Sequence, residues 1–572
     1  MDTYDKNKLA FETRYPQYKL SLYCNRQLPE TDKKIAMDNA PLYINTSLQT
    51  VNKCRIAVFL GLYYGFEVLY YGLIHSVHRD TVKYLIIEHD KKQLERAFAT
   101  HDLVNLINHP AITIILADDN LYKNLVDWMT AESRFYLIKS FQFFYNFDYY
   151  NANKAIYWDI ANIYKKAVSS TLMHYGNDCY DSIIGVRNML DNLDYIRNNP
   201  GINMLKDAFT GTPAICVSAG PSLNKNIKLL KGMETKAMII ACDAALQPLL
   251  RQGVKPHLVT SLERETVIKK LFENIKEDYS DCYFAGCPVI YKDVYDTYKG
   301  PKLIVYRQFD HFKWIGLERG MLPIKASPGN MNLTIAEYLG CDPIILIGQD
   351  LCIYGDETNV KDTPLGHSQK TYLDEPQWEV PGNYQDKVTT TRSLQVFLDS
   401  FNLDVPACKS KVINATEGGA KINGTELMTL QQAIDTHCNQ VQSIGASIQY
   451  RIKDFVPEDI EFLQGRIKET INYFEYCIRL IDEVLLIENL VIEQIIEIKE
   501  KMASNHTAWQ LYYAHIGQSL YISDEVKNNG YTNRIDMTDD QCKQQIINDA
   551  KVYFARAKGI LQICINDLQG RL

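Results

Sequence analysis

Residues 212–230, TPAICVSAGPSLNKNIKLL, decide how this chain is read. An apolar run rich in β-branched residues, Ala214 to Val217, stops at Ser218-Ala219-Gly220-Pro221-Ser222, and an amphipathic pattern follows at once. That is a buried strand turning into a helix through small residues. In an open α/β sheet, ligands bind beyond the carboxyl ends of the strands. Gly220 lets backbone approach a ligand, Pro221 stiffens the turn, and Ser222 is placed to cap a helix from Leu223. Free N–H groups at a helix start favour an anion, typically a phosphate. An ordinary strand-to-helix turn fits the same residues, so this loop by itself leaves both readings open.

Working outward, residues 201–427 alternate strand and helix. Strand candidates are AICVS, AMIIAC, HLVTS, CYFAG, KLIVYR and PIILIG. The helices between them, AALQPLLRQG and MNLTIAEYLG, each end in glycine, as left-handed C-caps demand. Residues 1–200 alternate too, through RIAVFLG, FEVLYYGLIHSV, KYLIIEHD and AITIILADD, before a helical, aromatic-rich extension. Gly61 and Glu88 there echo a nucleotide-binding βαβ unit without its full glycine pattern, so this part reads as a degenerate, empty Rossmann-like domain. Beyond residue 428 the strands vanish. Ile460, Leu463, Ile467, Ile471, Phe474, Ile478, Ile481 and Leu485 recur at helical spacing, and DDQCKQQIINDAKVYFARAKGILQICINDLQ ends the chain as another helix. The expectation is an α/β protein of three domains: a Rossmann-like α/β domain (1–200), a central Rossmann-like α/β domain (201–427) and a C-terminal α-helical bundle (428–572).

Composition narrows the function. With 572 residues, 46% hydrophobic and 23% charged, the chain reads as a folded, soluble, multidomain protein. Its net charge of −8 argues against broad nucleic-acid binding, which needs a basic face. Fourteen cysteines lie scattered, many in apolar runs (Cys216, Cys242, Cys477, Cys564), with no metal-ligand spacing. That predicts a reducing compartment, no resident metal and, without a secretory or membrane-spanning segment, a cytoplasmic protein away from membranes.

Polar residues gather at further strand ends. Asp243 closes AMIIAC, Ser261, Glu263 and Arg264 close HLVTS, and Gln349 and Asp350 follow PIILIG, with Tyr354 shortly after. Ser327-Pro328-Gly329-Asn330 opens the helix at Met331, and NATEGG brings Asn414 and Thr416 to another strand end. An aspartate in such a place is often only a cap. The group is better explained as one crevice, with NATEGG suited to sugar hydroxyls and Asn332 able to donate from the first helical turn.

Four ordered segments, PAICVSAGPSL, ACDAALQPLLRQGVKPHLVTSLE, SPGNMNLTIAEYLGCDPIILIGQDL and VINATEGGAKINGTE, resemble the motility accessory factors, flagellin glycosyltransferases whose central domain has a sialyltransferase-like fold. The GPSL turn, the stretch Ser327 to Asp350 and Gly366-His367-Ser368 are similar to signatures of bacterial sialyltransferases that use CMP-sugars. That resemblance implies His367 as general base and Asp350 as a second catalytic residue. It implies Ser218, Gly220, Pro221, Ser222, Asp243, Ser261, Glu263, Ser327, Gly329, Asn330, Gln349, Tyr354, Asn414 and Thr416 as substrate-binding. The chain departs from the sialyltransferases in having Leu351 and Cys352 where a phosphate-binding tyrosine follows the aspartate, and Asp243 where they have asparagine.

The implied reaction moves a nonulosonic acid (pseudaminic, legionaminic or sialic type) from a CMP-activated donor to Ser/Thr hydroxyls of flagellin, supporting flagellum assembly and motility, with no cofactor and no Mg²⁺. Two alternatives stay open. One is a Mg²⁺-dependent pyrophosphokinase acting on a hydroxymethyl pterin, with Asp243, Glu263 and Asp350 as the available carboxylates. The other is a non-catalytic flagellin-binding factor.

Overall fold

The computed structural model describes residues 2–20, 55–63, 83–100, 102–131, 134, 137–175, 179–309, 311–366, 368–517 and 538–571. The run FEVLYYGLIHSV and His367 lie outside the described residues. The chain forms two compact units, Met1–Gly176 with Ile522–Cys542, and Asn177–Tyr521 with Lys543–Leu572.

In the first unit, β1 (Ile56–Leu60), β2 (Lys83–Glu88), β3 (Ile112–Leu116) and β4 (Phe141–Phe144) make a parallel sheet of order β3-β2-β1-β4. This is half of a doubly wound fold, with the direction of winding reversing between β1 and β4. The β1 side chains alternate between two cores. Ala57 and Phe59 pack with Phe11 and Phe98, whereas Ile56, Val58 and Leu60 pack with Trp128 and Tyr157.

The second unit carries β5 (Ala214–Val217), β6 (Met238–Cys242), β7 (Leu258–Ser261), β8 (Tyr283–Gly286) and β9 (Lys302–Ile304). The short pair β10 (Tyr306–Arg307) and β11 (Met321–Leu322) follows, then β12 (Ile344–Ile347), the hairpin β13 (Gln377–Pro381) and β14 (Lys387–Thr391), and finally β15 (Val412–Asn414) and β16 (Glu426–Leu427). Eight of these strands form one sheet of order β16-β15-β12-β5-β6-β7-β8-β9, all neighbours parallel. From β5 the chain winds out to β9, then crosses back to β12 on the other side. The sheet therefore has its switch point between β5 and β12, where a crevice must open at the carboxyl ends. The six strand candidates of this region appear as expected, and Gly253 and Gly340 take left-handed φ values of 72° and 82° after their helices.

Contacts group parts of the chain across the expected boundaries. Residues 179–200 belong to the second unit, and the C-terminal helices Ile460–Leu485 and Asp539–Gln569 do not close a core of their own. Leu463, Ile467, Phe474, Phe554 and Leu561 pack in one continuous cluster with Cys216, Ile240 and Leu346 of the sheet and with Trp314. The Trp314 indole donates to Thr470 Oγ1 at 2.9 Å inside that cluster. Helical periodicity locates the buried stripe, but the stripe cannot say what covers it.

Residues 201–427 expressed alone are therefore expected to aggregate or to bind a hydrophobic dye. Phe554→Ala in the full chain is expected to cost about 3–5 kcal/mol in urea unfolding, as for other buried aromatic truncations. A monomeric 201–427 fragment that unfolds cooperatively would contradict the shared core.

Candidate functional site

The turn after β5 is held by the chain itself. Gly220 N–H donates to the Gly348 carbonyl at 2.8 Å. The Ser222 N–H and hydroxyl both donate to Asp350 Oδ2, at 3.2 and 2.7 Å. A Cβ built on Gly220 would lie 2.0 Å from Asp350 Oδ2 and 2.5 Å from the Gly348 carbonyl. The glycine is thus needed for the close approach of a carboxylate from the neighbouring strand end. Two expectations are corrected here. Ser222 makes no side-chain cap on the four-residue helix Leu223–Asn226, because its hydroxyl is turned to Asp350. The Gly220 and Ser222 N–H groups expected to receive a phosphate are already bonded.

The other segments close onto this turn. Ser218 Oγ donates to Gln349 Oε1 at 2.5 Å, directly across the switch point. Ser327 caps the helix Pro328–Tyr338, accepting from Asn330 N–H at 3.2 Å, with Pro328 at its first position. A Cβ on Gly329 would be 2.5 Å from Gln349 Oε1 and 2.9 Å from Ser218 Oγ, so the helix start rests on that pair. On the far side, Thr416 Oγ1 accepts from Gln349 N–H at 3.2 Å and Asn414 Oδ1 from Thr416 N–H at 3.1 Å. Ala420 N–H donates to the Asp350 carbonyl at 2.8 Å, and Tyr354 OH accepts from Gly419 N–H at 2.7 Å. Asn332 faces inward, bridging the Val217 carbonyl and the Thr260 hydroxyl, so its expected donation to a ligand is also corrected.

Asp350 is 2% exposed. Burial pushes its carboxyl up to about 6, against the hydrogen bonds from Ser222. From that position its Oδ2 holds the turn through Ser222. Next along the sheet, Asp243 accepts from Ser261 Oγ at 2.7 Å and Ala244 N–H at 2.8 Å, and burial pushes it, too, up to about 6. Glu263 is shifted upward, chiefly by desolvation, although its side chain stays open to solvent, which screens the effect. Tyr372 was not singled out in the sequence. Burial and then the Glu263, Glu375 and Asp243 carboxylates push its hydroxyl up to about 12.

Several polar atoms on this rim have no partner. Asn330 Nδ2, Asn414 Nδ2 and Asp350 Oδ1 are buried and make no hydrogen bond, an arrangement that costs stability unless a ligand meets it. The described residues on either side of position 367 are bonded to their surroundings. Val360 N–H donates to the Ala219 carbonyl at 2.7 Å and Gln369 N–H to Thr358 Oγ1 at 2.9 Å. The three carboxylates named for Mg²⁺ do not fit one ion. They stand at three strand ends, Asp243 and Asp350 are engaged in hydrogen bonds, and no group of three His, Cys, Asp or Glu side chains among the described residues forms a ligand set.

In the first unit the equivalent crevice is filled. Glu88 accepts from Leu62 N–H, Asp90 N–H and Tyr149 OH, each at 2.9 Å, and from Tyr157 OH at 3.3 Å. A Cβ on Gly61 would fall 2.5 Å from Tyr157 OH and 2.6 Å from the Tyr149 ring. Tyr149 and Tyr157 of the chain pack against both Gly61 and Glu88 at this strand end.

Because the folded protein holds the Asp350 proton more tightly than the unfolded chain does, its stabilising effect is full below the ordinary value of 3.8. It is lost as pH rises through about 6, for a total on the order of 3 kcal/mol. Asp243 contributes in the same sense and window. Asp350→Asn is therefore expected to gain on the parent in urea unfolding midpoint between pH 4.5 and pH 7.5. An unchanged difference across that range would mean that the buried carboxyl titrates normally.

A family model described as 6-hydroxymethylpterin diphosphokinase MptE-like matches residues 187–356. Among solved structures, the MAf glycosyltransferase of Magnetospirillum magneticum AMB-1 is similar over 99% of this chain and 88% of that one, with a TM-score of 0.58 and 15% identity. That likeness is one of fold, and it supports the resemblance of fold read from the four sequence segments. No curated protein matches the chain.

Proposed function

We propose that this protein is a cytoplasmic glycosyltransferase that moves a nonulosonic acid from its CMP-activated form to Ser/Thr hydroxyls of flagellin. One observation carries the reading. The segments on which the resemblance rests are bonded to one another at the switch point, through Ser218–Gln349 and Ser222–Asp350. Conserving a fold does not require motif residues to converge on one ligand crevice, whereas a shared chemistry does. The similar fold of the Magnetospirillum glycosyltransferase supports the same class of reaction.

In this mechanism the acceptor hydroxyl loses its proton to His367 as its oxygen bonds to the anomeric carbon, and CMP departs with the electrons of the broken C–O bond. The transition state at that carbon is oxocarbenium-like. An imidazole near its ordinary pKa suits proton abstraction at neutral pH. Asn414 and Asn330, with free amide donors, are placed to meet hydroxyl or carbonyl oxygens of the donor. Asp350 and Asp243 hold the strand-end loops in register.

The diphosphokinase-like family match favours a second reading, pyrophosphate transfer from ATP. Thermal shift separates the two. CMP is expected to stabilise the protein, by about 2.7 kcal/mol at ~100 times its Kd, and ATP with Mg²⁺ is not. A larger shift with ATP and Mg²⁺ favours the kinase. His367→Ala is expected to lower the rate of flagellin glycosylation by ~10²–10⁴, the usual contribution of a general base, while CMP affinity holds. Intact-mass analysis of flagellin beside calorimetry reads both, and near-parent transfer by that variant would remove His367 from the mechanism.

A further inference from the structure

The switch-point rim is a poor place for an oxyanion. Its turn N–H groups at Gly220 and Ser222 are bonded, and Asp350 and Asp243 place two carboxylates there. Above pH 6 both are largely charged and repel phosphate or carboxylate. The carboxylates suit hydroxyl and amino donors of a ligand, and the free Asn330 and Asn414 amides suit its uncharged oxygens.

Positive charge lies further along the same edge, beyond β7 and β9. Arg307, in β10, donates from Nε to the Ile324 carbonyl at 2.8 Å, and its guanidinium carbon sits 4.8 Å from the centre of the Phe309 ring. These two contacts fix the plane of the guanidinium. Its two terminal nitrogens make no hydrogen bond or ion pair among the described residues, and the residue is half-buried. Arg264, at the end of β7, flanks the same ring at 6.0 Å but is neutralised by Asp181, to whose carbonyl it donates at 2.8 Å and with whose carboxylate it pairs. Burial pushes Arg307 down to about 10, which still leaves it charged at pH 7. An arginine held in place by Nε, with its fork unused, has the geometry that binds carboxylate or phosphate through two parallel bonds. Ile324, which follows β11 by two residues and accepts from Arg307, stands three residues before Ser327 in the chain, so this anchor adjoins the switch-point rim.

We propose that Arg307 is the anion anchor of the crevice, taking the phosphate or the carboxylate of the donor while the neutral nucleoside lies toward Asp243 and Asp350. The proposal rests on the CMP-sugar reading, and the test keeps the two apart. Calorimetry on the full chain compares the parent with Arg307→Met and Arg307→Lys, using CMP, cytidine, N-acetylneuraminic acid and inorganic pyrophosphate as probes. Arg307→Met is expected to weaken CMP about 10- to 100-fold, the usual worth of charge-assisted hydrogen bonds, and to leave cytidine unchanged, with Lys between. Loss of N-acetylneuraminic acid binding with CMP retained would assign the fork to the carboxylate. Pyrophosphate held in an Arg307-dependent way by a protein that ignores CMP and cytidine would sustain the anchor and end the donor reading. CMP and N-acetylneuraminic acid bound equally by parent and Met variant would overturn the anchor and leave the donor reading standing. Should the Met variant fail to fold, phenylglyoxal labelling of the parent decides: CMP protects the Arg307 peptide and cytidine does not, or the anchor is wrong.

Discussion

The crevice depends on one buried carboxylate. Asp350 reaches from the end of β12 into the turn after β5 and takes two hydrogen bonds from Ser222 through a single oxygen. Only glycine at 220 leaves room for it. β5 and β12 are the neighbours between which the sheet changes its direction of winding, so this contact ties the two halves together where they would otherwise part. Ser218 and Gln349 repeat the tie one residue back, and Gly329 lets the helix Pro328–Tyr338 seat against both. Remove the carboxylate, and the turn after β5 loses the acceptor that both Ser222 donors meet.

Such an arrangement is expensive for folding. Two desolvated aspartates and several unpaired amide groups on one rim are not what stability alone would select. The first unit shows how the same kind of crevice looks when it is closed. Glu88 has its acceptors filled by two backbone N–H groups and two tyrosine hydroxyls, and Gly61 packs under those tyrosines. One sheet satisfies its strand-end acid internally, and the other leaves polar atoms unmet. Unmet polar atoms of that kind are the physical ground for proposing ligand chemistry in the second unit.

Much of the fold is legible in the sequence because its signals are local. The β-branched runs of β5, β6 and β12 are bounded by turn residues, and Gly253 and Gly340 end helices in the backbone conformation only glycine takes freely. The strand-end polar set is legible for the same reason, since Ser218, Asp243, Gln349, Asp350 and Thr416 come within three residues of a strand's last residue. The shared core of the C-terminal helices is not, because an apolar stripe such as Leu463–Ile467–Phe474 records that it is covered and not by what. Tyr372 and Arg307 are illegible for a further reason. Neither lies in a motif, and each matters only through groups brought near by folding, Glu263 and Asp243 for the tyrosine, Phe309 and Ile324 for the arginine.

The turn at Ser218–Ser222 shows where a local signal stops. Gly-Pro-Ser after a strand reports that something must approach the backbone closely, and a bound phosphate or a side chain of the chain meets that need equally well. The deciding fact is which donors remain free once the chain has folded. Here Gly220 and Ser222 N–H are engaged, so the motif has become part of the scaffold. Positive charge for an anion must then come from elsewhere on the edge. The fork of Arg307 answers that need, while the acid-lined switch point is left to the hydroxyl-rich, uncharged part of a ligand.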